Sequence, residues 1–237
     1  MLSALRRVFG YLGDSAGLRT CAVCGDELTA GERLLCITCL GTLPRTARPT
    51  LPVRYADIFA NGVAPQGLTE AWFDYRPGSD PANMIIEAKY HDRPAVAREA
   101  GRVFGRELLG YYGAVPVDVL LPVPMYWRKR MRRGYNQSEE IARGLSEVTG
   151  IAIGDNLRAV RAHSTQTHKS DSERRENVKG SVAVDHPEEL SGLRIAIVDD
   201  IVTTGSTISE CVAAISMSAA RPESIGMITL GATVKKV

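Results

Sequence analysis

Short apolar runs alternating with amphipathic stretches predict an α/β fold, an open parallel sheet flanked by helices on both faces. Three observations carry that reading. Ile195 to Val198 and Val117 to Leu121 are continuous apolar runs, too short for helices, and read as buried strands. Each is followed by a polar segment and then by apolar residues at helical spacing: Ile208, Val212 and Ile215 in one case, Ile141, Leu145 and Val148 in the other. Ser224 to Leu230 supplies a further central strand, and no internal repeat is visible.

At 237 residues the chain suits one main domain, residues 51–237, behind a small N-terminal unit, residues 1–50. An apolar fraction of 44% is that of a soluble globular protein, and a formal charge of +2 excludes neither nucleic acid nor anionic metabolites. No apolar run approaches the ~20 residues of a membrane helix. Val8 to Leu12 is too short for the core of a signal peptide, so a cytoplasmic protein without membrane insertion is expected.

In chain order, Leu2, Leu5, Val8, Phe9 and Leu12 predict a short amphipathic helix packing on the next unit. Cys21, Cys24, Cys36 and Cys39 form two Cys-x-x-Cys pairs separated by eleven residues, the spacing of a zinc ribbon. A disulfide pair and a redox motif are the other readings, and a reducing compartment disfavours the first. Four protein ligands leave no open coordination position, so such a zinc is structural. Leu34 and Leu35 are expected to form the ribbon's own small core. Cys211 stands apart as a small buried apolar residue.

Pro44, Pro49 and Pro52 mark residues 44–54 as an extended linker. Ala56 to Val63 and Glu70 to Arg76 are expected strands. Asp80-Pro81 opens a helix running to about His91, and Val96 to Leu108 lie on a second. After Pro122-Val123-Pro124, five of the six residues from 128 to 133 are basic, which predicts a positive loop before the helix Asn136 to Val148. Such a loop suits a pyrophosphate or a nucleic-acid backbone. Weaker strands are expected in 151–162 and 181–184, around the polar stretch His163 to Gly180.

The densest chemistry is Val198-Asp199-Asp200-Ile201-Val202-Thr203-Thr204-Gly205-Ser206-Thr207. Ligands of open α/β sheets sit beyond the carboxyl ends of the strands. A glycine-bearing loop entering a helix offers amides and a favourable dipole to an anion. Two carboxylates would repel that anion, so they must face sugar hydroxyls or a magnesium ion.

This stretch resembles the signature of type I phosphoribosyltransferases, which bind 5-phosphoribosyl-1-pyrophosphate (PRPP). The resemblance implies that Asp199 and Asp200 hold the ribose diol, that Thr203, Thr204, Gly205, Ser206 and Thr207 hold the 5-phosphate, and that Mg²⁺ accompanies PRPP. Pro122-Val123-Pro124 with Arg133-Gly134-Tyr135-Asn136-Gln137, behind four cysteines, is similar to the ComF branch associated with bacterial competence. That resemblance implies a pyrophosphate site around Val123 and Pro124, with Arg133 nearby. Lys89-Tyr90 also fits the family pattern, with Lys89 as a further pyrophosphate ligand. The polar stretch becomes a closing loop in which Gln166, Arg174, Asn177 and Gly180 match, with Arg174 or Lys169 expected to neutralise the leaving group. His163, Lys169 and Val182 depart from the pattern. His91, His168 and His186 have no spacing that points to a metal. The expected activity is Mg-dependent transfer of phosphoribosyl to a nitrogen acceptor. The rival is a non-catalytic protein that holds single-stranded DNA or scaffolds a competence helicase. Neither the acceptor nor an oligomeric state is legible.

Overall fold

The computed structural model describes residues 19–60, 62–90, 93–161 and 180–233. The expected N-terminal helix, His91, His168 and the loop residues His163, Gln166, Lys169, Arg174 and Asn177 lie outside them.

Five parallel strands form one sheet: β1 (Gln66–Tyr75), β2 (Val119–Pro122), β3 (Ala152–Ile153), β6 (Arg194–Val202) and β7 (Ser224–Thr233). A two-stranded antiparallel ribbon, β4 (Leu157–Ala159) with β5 (Val182–Val184), stands apart. The helices in chain order are α1 (Ile37–Thr42), α2 (Leu51–Arg54), α3 (Ala56–Phe59), α4 (Asp80–Tyr90), α5 (Pro94–Tyr112), α6 (Trp127–Arg133), α7 (Gln137–Thr149) and α8 (Ser206–Met217). The predicted class, an open parallel sheet flanked by helices behind a four-cysteine element, is borne out.

Strand order is β1-β7-β6-β2-β3. The chain passes outward from β2 to β3, then returns to β6 and proceeds the other way to β7, so the order reverses between β2 and β6. Side chains along β6 alternate accordingly. Ala196 and Val198 join Phe104, Ile141 and Leu145 in one core, whereas Ile195 and Ile197 join Ile208, Cys211 and Ile215 in the other. Helices α5 and α7 therefore cover one face and α8 the opposite one. A crevice at the carboxyl ends of β2 and β6 follows from that arrangement.

Three local expectations are corrected. Ala56 to Val63 is not a strand: Ala56–Phe59 is helical, because Tyr55, Ile58 and Phe59 recur at i, i+3 and i+4 and all three are buried. Residues 44–54 are not a free linker. The Asp74 amide donates to the Pro44 carbonyl at 2.8 Å and the Thr46 amide to that of Trp72 at 3.3 Å, so the segment covers the sheet edge beside β1. It then turns through Arg48–Thr50 into α2, whose Leu51 is buried in the α8-side core. The basic run is a helix, α6, and not a loop; it ends at Gly134 in the left-handed region, φ 85°.

Helices α5 and α7 approach at glycines. A Cβ on Gly144 would stand 1.9 Å from the Arg98 carbonyl oxygen, and one on Gly101 would stand 2.3 Å from that of Ile141. Ion pairs Arg98–Glu140 and Arg102–Glu147 flank the seam. Since the clashing atoms are backbone, Gly144→Ala must push the helices apart. It is expected to lower stability by about 2 kcal/mol or more, read as a reduced urea midpoint at constant slope.

Candidate functional site

Asp199 and Asp200 lie near the carboxyl end of β6, which continues through them to Val202. Asp200, only 4% exposed, turns to the α7 side. Its Oδ2 accepts from Lys89 Nζ at 2.8 Å and from Gln137 Nε2 at 3.2 Å. Asp199 is half-buried, and its Oδ1 accepts from Ser138 Oγ at 2.9 Å and from the Asp200 amide at 2.9 Å. Burial first, then the neighbouring charge of Asp200, pushes the Asp199 carboxyl up to about 7; Lys89, the Asp200 amide and Ser138 oppose the rise. The acids thus face a polar crevice edge and not apolar packing.

Their partners come from the first turn of α7. Asn136 caps that helix by accepting from the Ser138 amide at 3.1 Å, while its Nδ2 donates to the Val123 carbonyl at 2.9 Å. One side chain therefore ties the loop after β2 to the helix that contacts both acids. The Val123 amide donates to Val198 in the ladder and Pro124 has no N–H, so free loop amides begin at Met125. Arg133 donates to Gln137 Oε1 at 2.5 Å. Lys129, also on α6, is held below the usual lysine range by burial and then by Arg133, with Asp200, Lys89 and Asp199 also felt. Three cations, Lys89, Lys129 and Arg133, thus surround two carboxylates.

Beyond Val202 the chain passes Thr203 and Thr204 to Gly205, in the left-handed region at φ 78°, and enters α8 at Ser206. The backbone conformation favours glycine here, and a Cβ at 205 would also have to displace the Ile58 side chain, whose Cδ1 it would approach to 2.2 Å. Thr204 Oγ1 and Ser206 Oγ are 2.6 Å apart. Thr203 is exposed, and Thr204, Ser206 and Thr207 are half-buried. Hydroxyls and first-turn amides of a twelve-residue helix are therefore gathered at the carboxyl edge beside the acids, the arrangement an anion needs.

Of the predicted residues, the structure brings together Lys89, Arg133, Asp199 and Asp200, and places 203–207 at the end of the same strand. Gln137, Ser138 and Lys129 were missed as site residues. Gln137 was in view within the Arg-Gly-Tyr-Asn-Gln motif, but nothing in the linear chain shows that residues some sixty positions apart meet.

At the N-terminal end, the sulfurs of Cys21, Cys24, Cys36 and Cys39 all lie within 4.8 Å of one another, Cys24 and Cys36 at 3.9 Å. None is disulfide-bonded. A tetrahedral Zn²⁺ with bonds of ~2.3 Å sets its sulfurs about 3.8 Å apart, so the cluster fits zinc. Burial raises the Cys21 thiol, but amides of Cys24, Cys36 and Val23 outweigh it and hold it at about 7. Cys21, Leu34 and Leu35 belong to the same core as Trp72 and Phe104, so the two leucines serve the main body and not a separate small core.

No family model matches the chain. DNA utilization protein YhgH of Salmonella typhi is 34% identical over 142 residues, covering 58% of this chain and 60% of that protein. YhgH of Escherichia coli strain K12 is 32% identical over 141 residues, with 58% and 60% covered. Competence protein F of Haemophilus influenzae is 38% identical over 96 residues, with 39% and 42% covered. The ComF resemblance is borne out by these homologues, although the chain spans no more than 60% of the length of those relatives. A solved structure titled as the allosteric regulatory enzyme of purine biosynthesis aligns at a TM-score of 0.37 and 23% identity, covering 56% of this chain and 25% of that one. That overlap is too slight to bear on the fold. Among the described residues, no helix is long and apolar enough to cross a membrane.

Because the cysteine cluster shares its core with the sheet, removing its metal should loosen the main body. One zinc per chain is expected by elemental analysis, lost in Cys36→Ser. Chelation should lower the thermal midpoint of the single unfolding transition, and an unchanged midpoint would show the cluster to be dispensable.

Proposed function

We propose that the chain binds PRPP with Mg²⁺ in the crevice between β2 and β6, and transfers its phosphoribosyl group to a nitrogen acceptor with release of pyrophosphate. The observation that supports this best is the pairing of Asp199-Asp200 with a left-handed glycine and a helix N-terminus at one strand end. The acids suit a vicinal diol and the 203–207 turn suits a terminal phosphate. Lys89, Lys129 and Arg133 suit a diphosphate. When bound, Mg²⁺ would neutralise charge on the departing pyrophosphate, with Asp199 and Asp200 the carboxylates within reach.

In the proposed step the anomeric C–O bond breaks and its electron pair leaves with pyrophosphate, while the acceptor nitrogen supplies the pair for the new C–N bond and loses a proton. The transition state carries positive charge on the sugar and growing negative charge on the leaving group. Cations held in place by α4, α6 and α7 favour that separation without reorganising. The relatives' names, DNA utilization protein and competence protein, support a role in DNA utilization or uptake as the setting of this proposal. A cytoplasmic setting is part of the same proposal.

A second reading rests on α6. Trp127 is 53% exposed, with the Arg128 guanidinium 5.2 Å from its ring and the Tyr126 ring 5.8 Å away. An aromatic pair on a basic helix suits single-stranded nucleic acid, by stacking and by phosphate contact. A competence helicase is the protein partner this reading would add.

Calorimetric titration with PRPP and Mg²⁺ tests the first reading. Binding is expected, with at least a tenfold loss in Asp200→Asn, and silence at millimolar ligand would remove it. Pyrophosphate release in a screen of nucleobases and amines then tests turnover. Steeply salt-dependent binding of a single-stranded oligonucleotide, weakened by Trp127→Ala, would favour the second.

The charge on Asp199 adds a pH test. With its carboxyl held near 7, the acid is mostly protonated at pH 6 and mostly ionised at pH 8. Only the ionised form accepts two hydroxyl hydrogen bonds or meets a cation. Affinity for Mg·PRPP should therefore rise between pH 6 and 8 and level above, with a shallower rise in Asp199→Asn.

A further inference from the structure

We propose that Lys89 is the resting counter-ion of the acid pair, occupying the place at Asp200 that a divalent cation takes when ligand binds. The Lys89 ammonium stands 2.8 Å from Asp200 Oδ2, the geometry of a full charge-assisted contact. At 4% exposure Asp200 has almost no water to neutralise it, and the Gln137 amide alone carries no charge. Lys89 supplies the missing charge from α4, an element that neither carries the acids nor precedes them closely in sequence. Its own side chain remains about a quarter exposed, on the last turn of that helix.

The cations around it give the exchange a direction. Lys129 on α6 feels the charges of Arg133 and Lys89 as well as those of both acids, so further cations lie within electrostatic reach of the pair. A diphosphate entering the crevice would attract all three. Lys89 then moves from carboxylate to phosphate, and Asp200 is left needing a new cation. A divalent ion and a polyphosphate are thereby coupled through one side chain: the metal alone competes with Lys89 and binds poorly, whereas ligand clears its place. The inference deepens the PRPP reading by assigning Lys89 a positioning role at Asp200 before it serves the pyrophosphate.

Mn²⁺ without any phosphate ligand isolates the claim from that reading, since free Mn²⁺ can be counted by its electron-spin resonance signal whether or not PRPP binds. Wild type is expected to bind weakly, and Lys89→Gln to bind at least tenfold more tightly. Lys89→Arg, which keeps the charge, should stay within about threefold of wild type, and Asp200→Asn in the Lys89→Gln background should lose the gain. Equal or weaker Mn²⁺ binding in Lys89→Gln would overturn the proposal. A second measurement on unmodified protein does not depend on how the variant folds. In a lysine-¹⁵N spectrum, one protected ammonium signal, identified by its absence in Lys89→Arg, should be present without ligand. It should shift or vanish on adding saturating Mg²⁺ and inorganic pyrophosphate; its persistence unchanged would overturn the exchange. Failure of PRPP to bind in calorimetry would leave the Mn²⁺ result standing and remove only the identity of the ligand.

Discussion

A carboxylate buried at the end of a central strand is the constraint around which the rest is arranged. Asp200 follows Val198 and precedes Val202 in the strand with only 4% of its surface exposed, and its polar partners reach it from two separate helices. Lys89 of α4 brings the charge and Gln137 of α7 the second donor. Both helices must be docked for strand β6 to keep its acid, so the folding of the α7-side core and the formation of the crevice are one event.

The position of α7 is in turn set by backbone contact. Gly101 and Gly144 allow α5 and α7 to approach until main-chain atoms touch, and the flanking arginine–glutamate pairs fix their register. Because Asn136 joins the start of α7 to Val123, that register is passed on to the loop after β2. A seam far from the crevice thus decides where Gln137 and Ser138 meet the acids. On the opposite face, Ile58 under Gly205 plays the corresponding part, holding the 203–207 turn from beneath.

The cysteine element is built into this scheme and not hung upon it. Its Leu34 and Leu35 pack with Trp72 and Phe104, and Asn83 of α4 donates to the Val23 carbonyl at 3.0 Å. The helix that carries Lys89 is therefore braced from one side by the ribbon and from the other by the sheet. A metal there would stiffen α4 at a distance from any chemistry, which gives a structural ion a physical connection to the crevice.

Much of this was legible in the linear chain. Apolar runs of strand length and helical spacing after each of them determined the layered α/β class, because burial on two faces imposes those patterns directly. Cys-x-x-Cys pairs determined the four-cysteine cluster, since each knuckle is local, and Asp199 to Thr207 could be read because one strand and the turn into one helix hold all of it. What stayed hidden involved contacts across the fold. Residues 44–54 looked like a linker because edge-pairing with β1 leaves no local mark, and Ala56 to Val63 looked like a strand because a single turn shows its helical spacing only when Tyr55 before it is counted. The pairing of Lys89 with Asp200, and of Gln137 and Ser138 with the acids, was decided only when parallel strands reversed their order between β2 and β6. Sequence alone determined the candidate acids, the glycine turn and the cysteine set; the tertiary structure decided which charged and polar groups meet them, because charge compensation depends on distance through space and not along the chain.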